Sequence, residues 1–134
     1  MLTVHHLGKS QSERIVWLCE ELEIPYELKR YARDSVTMLA PPDYKALHPI
    51  GAAPVITDGD LVLAESGAIV DYIMARYGNG RLVLRPDDPD FVQFLYASTH
   101  LCSLRSACTT PCGNAAGHLV HLVYFLPRAE LGAL

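Results

Sequence analysis

The chain has 134 residues, of which 50% are hydrophobic and 19% charged, and its formal net charge is −4. A chain of this length buries enough apolar surface for one hydrophobic core without a disulfide framework or a structural metal. Its mild acidity argues against the basic surface with which proteins follow nucleic-acid phosphates or anionic lipid, so neither nucleic acid nor a membrane is expected as a partner.

Charge is distributed unevenly along the chain. Residues 97–134 contain three charged side chains, Arg105, Arg128 and Glu130, but three of the four cysteines. No basic segment at the N-terminus leads into an apolar run, and the apolar run at 119–126 is shorter than the roughly 20 residues that a membrane-spanning helix requires. These features predict a cytoplasmic protein with reduced cysteines.

The first 31 residues show the periodicity of a strand, a helix and a second strand. Residues 2–7 alternate branched and polar side chains, and residues 26–31 alternate again, which is typical of strands. Between them, apolar residues recur at helical spacing, at Ile15, Leu18, Cys19 and Leu22. Ser10 or Ser12 is the expected N-cap of this helix, and Pro25 ends it. His5 and His6 are expected to be strand residues, one on each face.

Residues 32–77 complete a mixed unit. Residues 32–53 read as a long loop with one short helical turn at 43–47, and residues 54–57 and 61–64 as a hairpin around Asp58-Gly59-Asp60. Residues 66–77 have helical spacing, with Ser66 as the expected cap and Gly78 behind. The predicted order is therefore β-α-β-α-β-β-α, an α/β fold.

The rest of the chain is less strongly patterned. Residues 81–90 have the composition of a linker, although the apolar segment Leu82-Val83-Leu84 should pack on an apolar surface. Asp90 is placed to cap a helix that starts at Phe91, and the periodicity fades after about residue 97. The sequence thus predicts a domain at 1–80, a linker at 81–90 and a short, incomplete helical segment at 91–134.

Three separated blocks resemble the thioredoxin-like N-terminal domain of cytosolic glutathione transferases. They are residues 5–22, residues 48–59 and residues 63–72, in the order that the family has, and the resemblance extends over residues 2–96. Among the subclasses, the chain is most similar to the serine-type bacterial and fungal enzymes. The resemblance implies that the protein binds glutathione and conjugates it, as a co-substrate, to small electrophiles, with no other cofactor.

The resemblance implies a catalytic serine near the first helix. The family's serine lies a few residues before a helix arginine, and Ser10 stands four residues before Arg14, whereas Ser12 stands two before it. Ser10 is therefore the expected catalytic residue and Ser12 the alternative. For isolated serines in this position, helix capping alone is the commoner role.

The same resemblance implies a set of glutathione-binding residues. Ala53 and Pro54 match the family's cis-proline position, where the backbone of the residue before proline pairs with the cysteinyl part of glutathione. Glu65 and Ser66 match the residues that receive the γ-glutamyl group, and His48 is placed near the glycyl end. Ala52 replaces the lysine that many relatives have there, which removes one contact to the glycyl carboxylate.

The resemblance also sets expectations for the end of the chain. Family members continue into an all-helical domain that binds the electrophile and forms much of the homodimer interface, whereas here the similarity stops near Tyr96. We therefore expect a truncated or aberrant C-terminal domain, with a homodimer in doubt. The alternatives are a non-catalytic glutathione- or partner-binding module and a non-functional fragment of a mis-spliced or frameshifted gene.

The cysteines and histidines of the tail lack the spacing of a zinc site. The residues that could suggest such a site are Cys102, Cys108, Cys112, His118 and His121. No pair of cysteines is separated by two residues, as zinc knuckles require, so no metal site is predicted. Cys19 lies on the apolar stripe of the first helix and is expected in the core.

Overall fold

A computed structural model describes residues 1–103, and within the last helix it describes the side chains of residues 91–96 and 98. Its elements are β1 (Leu2–Leu7), α1 (Ser12–Glu21), β2 (Glu27–Tyr31), α2 (Pro42–Lys45), β3 (Val55–Asp58), β4 (Leu61–Ala64), α3 (Ser66–Tyr77) and α4 (Phe91–Ser103). The predicted order β-α-β-α-β-β-α is confirmed, and the mixed α/β unit that the resemblance implies is followed by a helix.

The four strands form one sheet in the order β2-β1-β3-β4. β1 pairs with β2 in parallel, which α1 permits because it supplies the crossover, and the remaining pairs are antiparallel. β3 and β4 are joined by a two-residue turn, in which Gly59 has a φ of 59°. Glycine suits this position because it adopts a positive φ without steric cost.

Successive residues of β1 point to opposite faces of the sheet and so join two different cores. One face, under α1 and α3, buries Leu2 and Val4 of the strand with residues of both helices. The members of this larger core are Leu2, Val4, Ile15, Leu18, Cys19, Leu22, Ile56, Ile69, Val70, Ile73 and Met74. The other face, under α2, is smaller and contains Leu7, Tyr31, Tyr44, Val55 and Ala64.

The segment after α3 packs against the larger core. Leu82 and Phe94 both pack against the larger core, as the sequence predicts for Leu82. Arg81 adds a polar link, because its guanidinium donates a hydrogen bond to the carbonyl of Leu22 behind α1. The start of α4 is thus part of the same packed unit as the sheet.

Both predicted serine caps are wrong. The N-cap of α1 is Gln11, and that of α3 is Glu65, neither of which forms a side-chain cap hydrogen bond. Ser12 and Ser66 are each the first residue of their helix, and both are buried. Their side chains therefore face the interior, where the Ser12 hydroxyl contacts Leu7 and His6 at the end of β1.

Some expectations fall on residues outside the described part of the chain. The side chain of Cys102, and all of Cys108, Cys112, His118 and His121, lie there. The helix α4 itself continues to Ser103, beyond residue 97, where the periodicity of the sequence fades. Among the residues that the structure describes, no group of three or more His, Cys, Asp and Glu is close enough to hold a metal ion. Within residues 1–103, no helix has the length and apolar character needed to cross a membrane.

Candidate functional site

The sheet register brings most of the predicted site residues to one end of the sheet. His5 of β1 pairs with Val55 of β3, and Val55 pairs with Ala64 of β4. The end of β1, the start of β3 and the end of β4 are therefore neighbours. Ser10 follows the first of these points, Ala53 and Pro54 precede the second, and Glu65 and Ser66 follow the third.

The loop between β1 and α1 holds Ser10 by backbone and hydroxyl contacts. The Ser10 hydroxyl donates a hydrogen bond to the carbonyl of Leu7 at 2.6 Å, and its Oγ lies 2.7 Å from Oγ of Ser12. Its Oγ also accepts the N–H of Ser12 at 3.3 Å, and its carbonyl accepts the N–H of Glu13 at 3.4 Å. Ser10 is partly exposed, so a ligand at this end of the sheet is able to reach its hydroxyl.

Ser12 has a different environment. Its side chain is 0% exposed, and its Oγ accepts the N–H of Leu7 at 3.2 Å. Oγ also lies 2.9 Å from Nδ1 of His6 and 3.3 Å from the carbonyl oxygen of Leu7. A buried hydroxyl with this many partners stabilises the loop from its interior side. Of the two serines, Ser10 is the one that is partly exposed.

Arg33 joins this loop to the one that follows β2. Its Nε donates to the carbonyl of Gly8 at 2.7 Å, and its two terminal nitrogens donate to the carbonyls of Lys9 at 3.4 Å and Met38 at 2.9 Å. Lys9 has a φ of 54°, a conformation that non-glycine residues adopt only when the surroundings hold them there. The guanidinium therefore fixes the backbone directly before Ser10.

The segment before β3 contains the expected special peptide. The bond between Ala53 and Pro54 is cis, as the resemblance implies, and Pro54 is buried. His48 lies earlier in the same loop, where its Nδ1 accepts the N–H of Ile50 at 3.2 Å. Because that nitrogen accepts, the ring carries its hydrogen on Nε2 when neutral, and Nε2 is the atom available to a ligand.

Glu65 and Ser66 begin α3 in an unusual conformation. Glu65 has φ 78° and ψ 122°, and its side chain is exposed and forms no cap. The first helical hydrogen bond given to its carbonyl comes from Ile69 at 3.0 Å. The leading N–H groups of the helix thus have no side-chain cap, and a helix N-terminus with uncapped N–H groups favours an anionic partner.

Two titratable groups of the domain have pKa values shifted by burial. Burial, followed by the charge of Lys29, lowers the pKa of His5, whose ring contacts the Tyr31 hydroxyl and the Thr57 hydroxyl at 3.1 Å each. Burial and then Glu20 raise the pKa of the Cys19 thiol to about 12. Cys19 is buried in the larger core, as predicted, and is a neutral thiol there.

The roles of two residues of this region, Arg33 and His6, do not follow from local sequence patterns. Arg33 was not singled out, because no local pattern connects it to Gly8, which lies 25 residues away. His6 was interpreted only as a strand residue; its position on the face of β1 under α1 follows from strand alternation, but its contact with Ser12 depends on where the helix starts. Both contacts arise from the packing of one element on another.

The chain is similar to glutathione transferases along its described part. Residues 1–75 match the family profile described as "Glutathione S-transferase, N-terminal domain". A relative from Schizosaccharomyces pombe, Glutathione S-transferase 3, is 40% identical over 93 residues, which are 69% of this chain and 36% of that protein. Glutathione S-transferase GstB of Escherichia coli is 39% identical over 72 residues, or 52% of this chain and 34% of the relative.

Solved structures give the same result. The crystal structure of a glutathione S-transferase from Actinobacillus pleuropneumoniae is 42% identical, with a TM-score of 0.72 over 77% of this chain and 48% of that one. A glutathione transferase homologue from Sulfitobacter with bound glutathione has 27% identity and a TM-score of 0.62, over 92% of this chain and 63% of that one. The chain spans about a third of the length of the curated relatives it matches. By its N-terminal domain, this chain belongs to the glutathione S-transferase family.

Proposed function

We propose that this chain binds glutathione at the end of the sheet described above and holds its thiol as a thiolate for attack on a small electrophile. The observation that carries the proposal is the partly exposed Ser10 directly before α1, on a loop that Arg33 and Ser12 hold in place. Ser10 is the catalytic residue of this proposal, since it is the serine that a ligand can reach.

The chemistry requires a site that prefers the charged sulfur. A thiol with a pKa of roughly 8.5–9 is mostly protonated at neutral pH, and lowering that pKa by about two units requires about 2.7 kcal/mol of preferential stabilisation. A hydroxyl donor aimed at the sulfur and the positive end of a helix both act in this direction. Ser10 and the N-terminus of α1 supply these two elements side by side.

The remaining parts of glutathione have complementary partners. The carboxylate of Glu65 suits the γ-glutamyl ammonium, and the uncapped N-terminus of α3 with Ser66 suits the adjoining carboxylate. The backbone of Ala53, beside Pro54, is placed to pair with the cysteinyl backbone as an added strand would. Nε2 of His48 is the proposed donor to the glycyl carboxylate.

The domain bounds, the cellular location and the partners of this chain belong to the same proposal. We place the glutathione-binding domain at 1–80, the linker at 81–90 and the start of a helical segment at 91–134. A cytoplasmic location, where glutathione is abundant and thiols stay reduced, suits this chemistry. A small electrophile and a homodimer are likewise proposed partners.

Retention of the full 134-residue chain on immobilised glutathione tests the binding step, and conjugation of an aryl halide tests the chemistry. We expect Ser10→Ala to remain bound but to lose conjugation by at least about tenfold, because one donor to the charged sulfur is removed. Ser35→Ala, which removes an exposed hydroxyl from the loop after β2, serves as the matched control.

Each result has a distinct meaning. Failure of the wild-type chain to bind glutathione would contradict the proposal as a whole. Binding without conjugation would leave a non-catalytic glutathione-binding module, the alternative from the sequence. Full conjugation by Ser10→Ala would remove Ser10 from the mechanism, and Ser12→Ala would then be the next variant to measure.

A further inference from the structure

We infer that His6 is a positioning residue that directs the Ser10 hydroxyl toward the bound sulfur through Ser12. Nδ1 of His6 lies 2.9 Å from Oγ of Ser12, which lies 2.7 Å from Oγ of Ser10. The three side chains form one continuous hydrogen-bond chain from β1 to the exposed loop. The inference rests on the proposed function, because the acceptor at the far end is the thiolate of glutathione.

The direction of the chain is decided at Ser12. A hydroxyl has one hydrogen to donate and two lone pairs to accept with. The N–H of Leu7 occupies one lone pair of Ser12 Oγ at 3.2 Å. Because Ser12 is 0% exposed, water does not take the other. His6 therefore decides where the Ser12 hydrogen goes.

Two tautomers of His6 give opposite directions. With its hydrogen on Nδ1, the ring donates to Ser12 and fills the second lone pair, so the Ser12 hydrogen turns to its nearest remaining acceptor, Ser10 Oγ at 2.7 Å, rather than the Leu7 carbonyl at 3.3 Å. With its hydrogen on Nε2, the ring accepts through Nδ1, and the Ser12 hydroxyl donates its hydrogen to His6. Only the first arrangement sends a donor toward Ser10.

At Ser10 the first arrangement leaves a single free hydrogen. The Ser12 hydroxyl and the Ser12 N–H, at 3.3 Å, then both donate to Ser10 Oγ. The Ser10 hydrogen goes to the Leu7 carbonyl at 2.6 Å in the ligand-free chain. A thiolate is a better acceptor than a neutral carbonyl because it is charged, so the hydrogen turns to the sulfur when glutathione binds.

The resulting chain runs from His6 to Ser12, to Ser10 and to the sulfur, with each group donating to the next. Aligned hydrogen bonds polarise one another, which strengthens the last donor. An anion at one end also favours the tautomer that points every donor toward it. No proton leaves His6 in this scheme: the ring orients the hydroxyls, and Ser10 alone touches the sulfur.

The tautomer is tested directly by NMR of the full chain with ¹⁵N-labelled histidine, free and with glutathione. We expect the hydrogen of His6 on Nδ1 in the glutathione complex. This measurement needs no substitution and does not depend on turnover. A hydrogen on Nε2 in that complex would overturn the inference, even if conjugation proceeds as proposed.

Kinetics provide the second test. His6→Leu removes the donor, whereas His6→Asn keeps an amide nitrogen close to the Nδ1 position. We expect His6→Leu to lower kcat about three- to tenfold, with KM for glutathione changed less than about twofold, and His6→Asn to restore most of the loss. The ultraviolet absorbance of the bound thiolate at neutral pH should fall and recover in parallel.

A double-mutant cycle separates the relay from general damage to the fold. We expect Ser12→Ala to lower kcat at least as much as His6→Leu, and the double variant to lose little more than Ser12→Ala alone, because both substitutions break one chain. Additive losses, or a His6→Leu variant with unchanged kcat and thiolate absorbance, would overturn the inference while the proposed function stands. A wild-type chain that does not bind glutathione would overturn both.

Discussion

Nε of Arg33 lies 2.7 Å from the carbonyl oxygen of Gly8, and through this contact a side chain that follows β2 fixes the backbone that precedes Ser10. The same guanidinium reaches Lys9 and Met38, so three carbonyls from two loops converge on one cation. A planar group with five donors in a fixed geometry suits this role, whereas an ammonium on a flexible stem does not.

We predict that Arg33→Ala and Arg33→Lys both impair the site. Loss of the bonds to Gly8 and Lys9 should lower the free energy of unfolding by about 1–2 kcal/mol and conjugation by several-fold, because the Ser10 loop is less fixed. Denaturant unfolding and steady-state kinetics measure the two effects. Arg30→Ala is the control, since it removes an equal charge from an exposed position on β2; equal behaviour of the Arg33 and Arg30 variants would contradict the prediction.

The sequence predicts best those elements whose first and last residues are set by neighbouring side chains and turns. β4 at Leu61–Ala64 and α3 at Ser66–Tyr77 match their predicted bounds, because a glycine turn and an apolar period of 3.6 act within a few residues. The short helix α2 was expected at 43–47 and occurs at Pro42–Lys45. Proline at the first position of a helix explains its earlier start.

The helix caps and the contacts within the site cannot be predicted from local sequence preferences. Ser12 was a reasonable cap by residue type, but the backbone N–H of Leu7 and the ring of His6 offered its hydroxyl buried partners across the strand-helix junction. Glu65 with a positive φ was likewise unpredictable, since sequence preference assigns that conformation to glycine. In each case, tertiary packing overrides the local preference.

Replacing Glu65 with glycine is expected to weaken glutathione binding without changing the free energy of unfolding. Its φ of 78° costs about 1 kcal/mol or more for a residue with a Cβ, and glycine avoids that cost but loses more chain entropy on folding. Glu65→Gly should therefore unfold at about the wild-type free energy, while glutathione affinity falls roughly fivefold or more because the carboxylate is lost.

Glu65→Gln is the matched variant for this experiment. It keeps the side-chain size and the backbone strain and removes only the charge, so its affinity for glutathione should fall by about as much as that of Glu65→Gly. Calorimetric titration and chemical denaturation provide the two readouts. Wild-type affinity in Glu65→Gln would exclude an ion pair between Glu65 and the ligand ammonium.

Ala52→Lys should increase the affinity for glutathione. Ala52 is exposed two residues before Pro54, and an added ammonium there would face the proposed glycyl carboxylate. An exposed ion pair contributes up to about 1 kcal/mol, so we expect about a threefold lower Kd at low ionic strength and a smaller gain in salt. Gln93→Lys, on the exposed side of α4, adds the same charge elsewhere; an equal gain in that control would assign the effect to net charge.

His5 should make the stability of the domain depend on pH. Its pKa is lowered by burial and then by Lys29, with Glu27 acting in the opposite direction, so the folded state resists protonation more than the unfolded chain, whose histidine pKa is about 6.5. Below that pH the unfolded state binds more protons than the folded state, and the free energy of unfolding falls as the pH falls. Above it, both states are neutral at this residue and its contribution to the slope vanishes.

His5→Gln tests this account because it keeps a polar side chain near the hydroxyls of Tyr31 and Thr57 and cannot be protonated. We expect the wild-type chain to lose stability between neutral pH and about pH 5, and the variant to lose much less over the same interval. Denaturant unfolding at a series of pH values measures both curves. A slope that persists unchanged in His5→Gln would contradict the prediction.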